Sequence, residues 1–200
     1  MTETPIDNTF QNRGYELWGN QVRFGLSRIS ENETYWFAVA LDQPNQKDNP
    51  DEIHNKLIHM FKEFHPVVKQ LITNTPTEKI LRNDIIDLKP MKFWWKNKIC
   101  LIGDAAHATT PNMGQGGAQA IEDAYCLSRL IAEGTVNNHF GEFQEKRYSK
   151  VNKIVNQSFT IGKMAHMKFG KPIRNFLLKN TPNKMMEKMM LEMYSVEDIK

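Results

Sequence analysis

Cysteine is scarce in this sequence, and long apolar runs are absent. The two cysteines, Cys100 and Cys126, lie inside apolar patterns, which favours buried, reduced thiols in a cytoplasmic protein over a disulfide. Neither the cysteine nor the histidine spacing fits a metal site, so no metal is predicted. No apolar run approaches the roughly 20 residues that cross a bilayer, and the polar first residues lack the apolar core of a signal peptide.

Two glycine motifs that bind nucleotides are also missing. A Walker loop needs the spacing GxxxxGK[ST], and no lysine lies near the glycine cluster 114–117. The dinucleotide fingerprint GxGxxG is absent as well, because Gly114-Gln115-Gly116 is followed by Gly117-Ala118-Gln119, without the third glycine. A phosphate-binding loop of either kind is therefore not predicted.

Acidic residues are missing from one long stretch. Ten Lys or Arg residues and no Asp or Glu lie between Lys146 and Lys184, although the formal net charge is only +3. Helical patterns extend over residues 138–156, 158–168, 173–179 and 183–194. We expect a solvated face of helices packed by methionine and leucine, with weak contact to an anionic membrane surface as the alternative. Binding of nucleic acid is not expected.

The first half of the chain favours a β-hairpin followed by helices. Period-two patterns over residues 21–29 and 35–41, joined by a polar turn, predict the hairpin. One of its faces could cover a pocket with Phe24 from the first strand and Phe37 or Trp36 from the second; ordinary core packing is the alternative. Further patterns predict helices over 51–63 and 66–73 and a strand over 79–88.

The most informative segment runs from Asn97 to Gly134. The apolar run Ile99–Ile102 predicts a buried parallel strand, and Asp104 follows it at the carboxyl end, where ligands bind in open α/β sheets. A helix is predicted over 116–133, ended by Gly134. Because it begins at glycines, its unpaired N–H groups and positive dipole end would stabilise negative charge on a ligand atom.

A series of motif residues occupies positions 103–124 of this segment. They are Gly103-Asp104-Ala105-Ala106-His107, Pro111, Gly114-Gln115-Gly116 and Gln119-Ala120-Ile121-Glu122-Asp123-Ala124. The series resembles the second FAD motif of the flavin-dependent aromatic hydroxylases, the single-component monooxygenases similar to p-hydroxybenzoate hydroxylase, tetracycline-inactivating oxygenases and zeaxanthin epoxidase. Arg23-Phe24-Gly25 and Tyr35-Trp36-Phe37 are similar to strands of the substrate sheet in that family.

The resemblance implies roles for individual residues. Asp104 would accept a hydrogen bond from the flavin ribityl chain, and Pro111 would lie beside the reactive side of the ring. The backbone amides around Gly116 would face the pyrimidine carbonyl. The implied cofactor-binding residues are Gly103, Asp104, Pro111, Gly114, Gln115, Gly116, Gly117 and Ala118, and the implied substrate residues are Phe24, Phe37 and Pro111. No residue is assigned a catalytic role, and His107 is expected to make a structural hydrogen bond.

The resemblance also implies a reaction and a fold. NAD(P)H would reduce FAD, and one atom of molecular oxygen would hydroxylate or epoxidise a hydrophobic small molecule. The expected fold class is α/β (α+β), a partial FAD-binding fold of the aromatic hydroxylase type with a substrate-domain β-sheet and C-terminal helices, in which the N-terminal GxGxxG part is absent. The alternative is a truncated, non-catalytic fragment that acts at most as an interaction or membrane-surface module.

The same reading divides the chain into four parts. They are a polar N-terminal segment (1–14), a substrate-type β-sheet domain with helices (15–92), the second FAD motif (93–134) and a basic, methionine-rich helical region (135–200). Ala118 stands where the family usually has asparagine, so a backbone role at this position is retained and a side-chain role is not.

Overall fold

The computed structural model describes residues 1–4, 6, 10, 13–134 and 138–196. The chain divides into two compact units, one formed by Met1–Asp84 with Ala165–Lys171 and the other by Ile85–Met164 with Pro172–Lys200. Strands and helices both contribute, which confirms the predicted mixed fold class.

A three-stranded antiparallel sheet in the order β1-β2-β3 organises the first unit. Its strands are β1 Gly14–Trp18, β2 Val22–Arg28 and β3 Thr34–Ala40. The pairing of β2 with β3 confirms the predicted hairpin. Since successive side chains point to opposite faces of a sheet, Phe24 and its neighbour Gly25 lie on different faces.

Two helices supply the rest of this unit's core. They are α1 Ile53–Met60 and α2 Pro66–Asn74, which confirm the predicted helices with somewhat different ends. Leu57 of α1 and Leu71 of α2 are buried in one cluster with Phe24 of β2. Pro66 begins α2 because a first-turn proline gives up no intrahelical hydrogen bond.

The predicted strand over 79–88 is wrong. Thr77–Lys79 forms a single 3-10 turn, and residues 80–91 have no regular secondary structure. No strand ladder forms here, and Arg82 makes ion pairs with a loop. Its guanidinium lies 2.9 Å from a carboxylate oxygen of Asp42 and 2.9 Å from one of Asp48. Leu81 is 79% exposed, so the apolar pattern of this segment does not correspond to a core face.

The remaining elements follow the irregular segment. They are β4 Trp95–Lys96, β5 Ile99–Cys100, α3 Asp104–His107, α4 Gly116–Glu133, α5 His139–Ala165, α6 Lys171–Lys179 and α7 Asn183–Tyr194. The helix predicted over 116–133 is confirmed, and Gly134 ends it in the left-handed conformation at φ +63°. The two helices predicted over 138–156 and 158–168 are one continuous helix, α5 His139–Ala165, because the single residue between them, Gln157, is compatible with a helix.

The predicted buried parallel strand at Ile99–Ile102 is also wrong. Only Ile99–Cys100 is a strand, and it pairs antiparallel with β4 across a short turn in which Asn97 has φ +53°. Ile99 is 70% exposed and Ile102 is 39% exposed. In the part of the chain that the structure describes, β4 is the one strand that pairs with β5, so the apolar run has no parallel neighbour to bury it.

The core of the second unit centres on Trp94. This side chain is 1% exposed, and its ring lies 5.9 Å from that of Phe143 and 5.7 Å from that of Tyr148, measured between centroids. Cys126 and Leu130 of α4 belong to the same cluster. Trp94 is therefore a core residue.

Candidate functional site

The site is built on the turn at Gly103, which connects the β5 segment to α3. Gly103 has φ +56° and ψ −139°, a backbone conformation that is essentially restricted to glycine. A Cβ at this position would lie 3.0 Å from the Cβ of Ala120, so a side chain would also force Ala120 to shift. The turn places Asp104 at the first position of α3, on the exposed side of the loop.

Asp104 lies next to the first turn of α4. Its Oδ1 atom is 3.8 Å from the position that a Cβ would occupy on Gly116, the first residue of that helix. Gln115 precedes the helix and makes no side-chain capping hydrogen bond. The first N–H groups of an α-helix have no intrahelical acceptor and carry the positive end of its dipole. A carboxylate and a set of amide donors thus border one open space.

The predicted cofactor residues all lie in this one loop of the second unit. The exposed members are Asp104, Pro111, Gly114 and Gly117; Gly116 and Ala118 are half-buried, and Gly103 and Gln115 are buried. A Cβ built on Gly114 or Gly117 would meet no atom within 4 Å. The glycines therefore leave the backbone accessible from the open side, as a planar ligand would require.

The middle of the loop is anchored to α5. Pro111–Met113 forms a 3-10 turn, and Gly114 follows it at φ +63°. The hydroxyl of Ser158 on α5 lies 2.8 Å from the Thr110 hydroxyl and donates to the Thr110 carbonyl at 2.6 Å. The Asn112 amide donates to the carbonyl of Ser158 at 2.8 Å.

The start of the loop is anchored by Asp123 of α4, which is fully buried. Its Oδ2 atom accepts a hydrogen bond from the backbone amide of Gly103 at 2.9 Å and lies 2.6 Å from Nε2 of His107. Its Oδ1 atom accepts a hydrogen bond from Nε of Arg147 at 2.8 Å. The predicted structural hydrogen bond of His107 is therefore present, and its partner is Asp123.

The electrostatic state of Asp123 follows from these contacts. Burial opposes ionisation of the carboxyl, but the hydrogen bonds from His107, Arg147 and the Gly103 amide outweigh it and hold the pKa of Asp123 below its ordinary value of 3.8. The carboxylate is thus charged at neutral pH. A buried charge of this kind is tolerated because its partners satisfy it.

Arg147 connects this carboxylate to the rest of α4. Its side chain is 1% exposed, and its NH1 group lies 2.6 Å from a carboxylate oxygen of Glu122. Its NH2 group donates to the side-chain oxygen of Gln119 at 2.8 Å and to the backbone carbonyl of Gln119 at 3.3 Å. Lys150, one turn further along α5, also lies 2.7 Å from Glu122.

Sequence reasoning missed this polar network. Gln119, Asp123, Cys126 and Leu130 form the buried face of α4, whereas Ile121 and Tyr125 are 73% and 49% exposed. The spacing of these four residues fits one helical face. Two of them are polar, however, so an apolar pattern does not select them, and Arg147 is separated from Asp123 by 24 positions.

The predicted substrate residues of the first unit occupy different environments. Phe24 is fully buried, stacked on Trp36 with ring centroids 5.2 Å apart and edge-on to Phe61 at 5.4 Å. Phe37 pairs with Gly25 on the opposite face of the sheet and is half-buried. Its ring covers Gly25 so closely that a Cβ there would lie 2.1 Å from it. Phe24 and Phe37 therefore do not share a face.

The described residues contain neither a metal-binding cluster nor a membrane-spanning helix. In the described ranges, no group of three or more His, Cys, Asp or Glu side chains is placed to hold a metal ion. None of the helices that the structure describes is both long and apolar enough to cross a membrane.

Comparison with known proteins identifies relatives of this chain. A family model described as FAD binding domain matches residues 16–157. The aurachin C monooxygenase/isomerase of Stigmatella aurantiaca is 41% identical over 150 residues, which cover 74% of this chain and 39% of that protein. The 2-heptyl-3-hydroxy-4(1H)-quinolone synthase of Pseudomonas aeruginosa strain UCBPP-PA14 is 31% identical over 176 residues, covering 84% of this chain and 45% of that protein. The chain thus spans less than half the length of these two relatives.

A solved structure has the same fold. The crystal structure of Klebsiella pneumoniae HpxO complexed with FAD and uric acid matches with a TM-score of 0.82 at 23% identity, over 95% of this chain and 50% of that one. At this identity the likeness concerns the fold, and it confirms the prediction of a partial fold of the FAD-dependent hydroxylase type. The chain therefore belongs to the FAD binding domain family, which confirms the resemblance to the flavin-dependent monooxygenases that its motif residues indicated.

Proposed function

We propose that this chain is the FAD-binding part of a flavin- and NAD(P)H-dependent monooxygenase that hydroxylates or epoxidises a hydrophobic small molecule. The observation that carries the proposal is the position of Asp104 beside the first turn of α4, on the open side of the motif loop. Relatives named for aurachin C and for a heptyl-substituted quinolone support a hydrophobic substrate.

The residues of the loop suit a flavin. Asp104 would accept hydrogen bonds from ribityl hydroxyls, and the amides of Gly116, Gly117 and Ala118 would donate to the pyrimidine carbonyl. The open space at the Cβ positions of Gly114 and Gly117 supports this fit, since a planar ring could approach the backbone there. Pro111 is exposed in the same loop and would border the reactive side of the ring.

FAD, when bound, would supply the redox chemistry, in which a hydride from NAD(P)H allows one atom of molecular oxygen to enter the substrate while the other leaves as water. This chain's own contribution is to bind and orient the ring and to stabilise negative charge on it through the amides of α4. We assign no proton transfer to His107, because Asp123 holds its ring in a buried position. Free Cys100 and Cys126 fit a reducing, cytoplasmic setting.

The test is cofactor binding by the purified chain. We expect FAD to raise the melting temperature and to change its own fluorescence on titration, and we expect Asp104→Ala to weaken binding about tenfold, as the loss of one charged hydrogen bond implies. Asp84→Ala, which alters an exposed carboxylate in the other unit, is the matched control. If FAD changes neither quantity, this chain alone does not hold the cofactor, and the non-catalytic alternative replaces the proposal.

A second candidate function is contact with an anionic membrane surface, and α6 is the feature that favours it. Ile173, Phe176 and Leu177 of α6 are 68%, 65% and 61% exposed. Lys171 and Lys179 stand at the two ends of the helix. Basic residues that flank an exposed apolar face are typical of helices that lie in the headgroup region of a bilayer.

Vesicle binding tests this second candidate. We expect the chain to sediment with vesicles containing anionic lipid, less so as salt is raised, and not with purely zwitterionic vesicles. Phe176→Ser should weaken sedimentation, while Leu81→Ser, at an equally exposed site elsewhere, should not. Equal loss in both variants, or no sedimentation at low salt, would remove this function.

A further inference from the structure

The long helix α5 is linked to the motif loop at two separate places, through α4 at Arg147 and directly at Ser158. Arg147 lies near the N-terminal part of the helix, and Ser158 follows eleven residues later, about three turns along it. Both side chains are buried, at 1% and 0% exposure. Neither residue belongs to the motif that carries the family resemblance, and neither has an open position of its own from which to contact a ligand.

The first contact, made by Arg147, links the start of the loop to the first turn of α4. Arg147 binds Asp123, and Asp123 in turn binds the backbone amide of Gly103 and the ring of His107. The same guanidinium binds the side chain and the backbone carbonyl of Gln119, in the first turn of α4. Because its fork is planar and rigid, Arg147 fixes the Asp123 carboxylate, which binds the Gly103 turn, relative to Gln119 at the start of α4.

The second contact controls the middle of the loop. Ser158 binds the hydroxyl and the carbonyl of Thr110, and its own carbonyl accepts a hydrogen bond from Asn112. One turn further along α5, a Cβ on Gly162 would lie 2.4 Å from the Asn112 amide nitrogen. A larger residue at position 162 would therefore displace Asn112 from the helix surface.

We propose that α5 positions the motif loop (residues 103–117). Arg147 and Ser158 are then positioning residues that set the separation between Asp104 and the first-turn amides of α4. The inference rests on the proposed FAD site and extends it to residues outside the motif. Arg147 acts through Asp123 and Gln119, and Ser158 acts through Thr110 and Asn112. The loop itself lacks long regular structure, so the rigidity that a flavin site requires comes from this neighbouring helix.

Amide hydrogen exchange of the full chain without FAD tests the positioning directly. We expect Arg147→Lys and Ser158→Ala to raise exchange in peptides covering residues 103–117 about tenfold, because each loses hydrogen bonds that hold the loop closed. Peptides from β1 to β3 should not change. Thr160→Ala is the matched control, since Thr160 is exposed on the same helix and bonds only within it, to the carbonyl of Asn156.

A conservative pair provides the rescue. Thr110→Val keeps the shape of the side chain and removes the hydroxyl that Ser158 contacts, whereas Thr110→Ser keeps the hydroxyl. We expect fast loop exchange in the valine variant and near-normal exchange in the serine variant. This pair also tests whether α5 positions the loop if Arg147→Lys does not fold. Exchange in Ser158→Ala and Thr110→Val that equals exchange in Thr160→Ala would overturn the inference.

A second readout uses the cofactor. In a flavin titration, Ser158→Ala should bind FAD about tenfold more weakly and shift the visible absorption bands of the bound flavin. Thr160→Ala should change neither the affinity nor the bands. If the unaltered chain does not respond to FAD, the proposed function fails for this polypeptide. The exchange experiment still decides whether α5 positions the loop, so the two failures are distinguishable.

Discussion

The carboxylate of Asp123 lies 2.9 Å from the backbone amide of Gly103, although the two residues are twenty positions apart in the chain. This hydrogen bond joins the buried face of α4 to the turn that presents Asp104. Glycine adopts this backbone conformation without strain but can equally adopt others, so surrounding contacts are needed to select it. The Asp123 bond is one such contact, and the bond from Asp123 to Arg147 links it to α5.

Replacing Asp123 should destabilise the fold strongly. Asp123→Asn removes the charge that faces Arg147 and leaves a buried guanidinium with reduced compensation, which costs about 3–5 kcal/mol when one partner of a buried pair is lost. Urea unfolding measures the difference. Glu133→Gln is the control, because Glu133 forms an exposed pair with Arg129, for which about 0.5 kcal/mol or less is expected. Equal effects of the two substitutions would contradict the assignment of Asp123 as the centre of the network.

The stability that Asp123 contributes should depend on pH. Its pKa is lower in the folded protein than its ordinary value of 3.8, so the ionised carboxylate favours folding. The contribution is complete above that value and is lost as the pH falls through the lowered pKa. The difference in unfolding free energy between the unaltered protein and Asp123→Asn should therefore narrow as pH is lowered from about 5 to about 3. A difference that stays constant over this range would show that the carboxylate is not the titrating group.

Two glycines of the loop should respond to alanine in opposite ways. Gly103→Ala places a Cβ 3.0 Å from that of Ala120 at φ +56°, and we expect a loss of about 1–3 kcal/mol in stability. Gly117→Ala adds a Cβ in open space on a helix, so stability should stay the same or rise by up to about 1 kcal/mol. The added methyl group nevertheless stands where the flavin would approach. Thermal unfolding together with FAD titration separates the effect on stability from the effect on binding. Gly117→Ala should lower the affinity for FAD without lowering the melting temperature. An unchanged affinity for FAD would place the flavin elsewhere.

Phe24 and Phe37, the two candidate substrate residues of the first unit, can be separated in the same manner. Phe24→Leu alters a fully buried ring that stacks on Trp36, and it should cost about 1–2 kcal/mol in stability. Phe37→Leu alters a half-buried ring on the other face and should change stability less. If Phe37 borders the substrate, its replacement should change the apparent affinity for an apolar aromatic ligand, measured by fluorescence, while Phe24→Leu should not. The reverse result would place the substrate on the core face.

Local patterns were enough to locate the motif loop and most of the helices. Gly134 ends α4 and Pro66 begins α2 for reasons of backbone geometry that act within a few residues, so they can be read from the chain alone. The hairpin β2-β3 follows in the same way from alternation across a short turn. The motif residues at 103–124 indicated the family because their identities and spacing are themselves the signal.

Burial and pairing were decided by tertiary structure. The run Ile99–Ile102 has the composition of a buried strand, but β5 pairs antiparallel with β4 and Ile99 is exposed. A short apolar run indicates that a segment is able to be buried, but the elements that pack against it determine whether it is buried. The segment 79–88 has the composition of a strand with mixed faces, yet Arg82 binds carboxylates of a distant loop and no ladder forms.

The polar network around Asp123 also depends on both local sequence and tertiary packing. Asp123 could be read as a motif residue from its position in the chain, whereas its contact with Arg147 depends on how α4 and α5 pack against each other. Side chains that are distant in sequence meet only after folding, and a charged residue on a helix carries no local sign that it is buried. Local sequence therefore located the motif loop, and the contacts that hold its shape arise from the packing of the long helix α5 beside it.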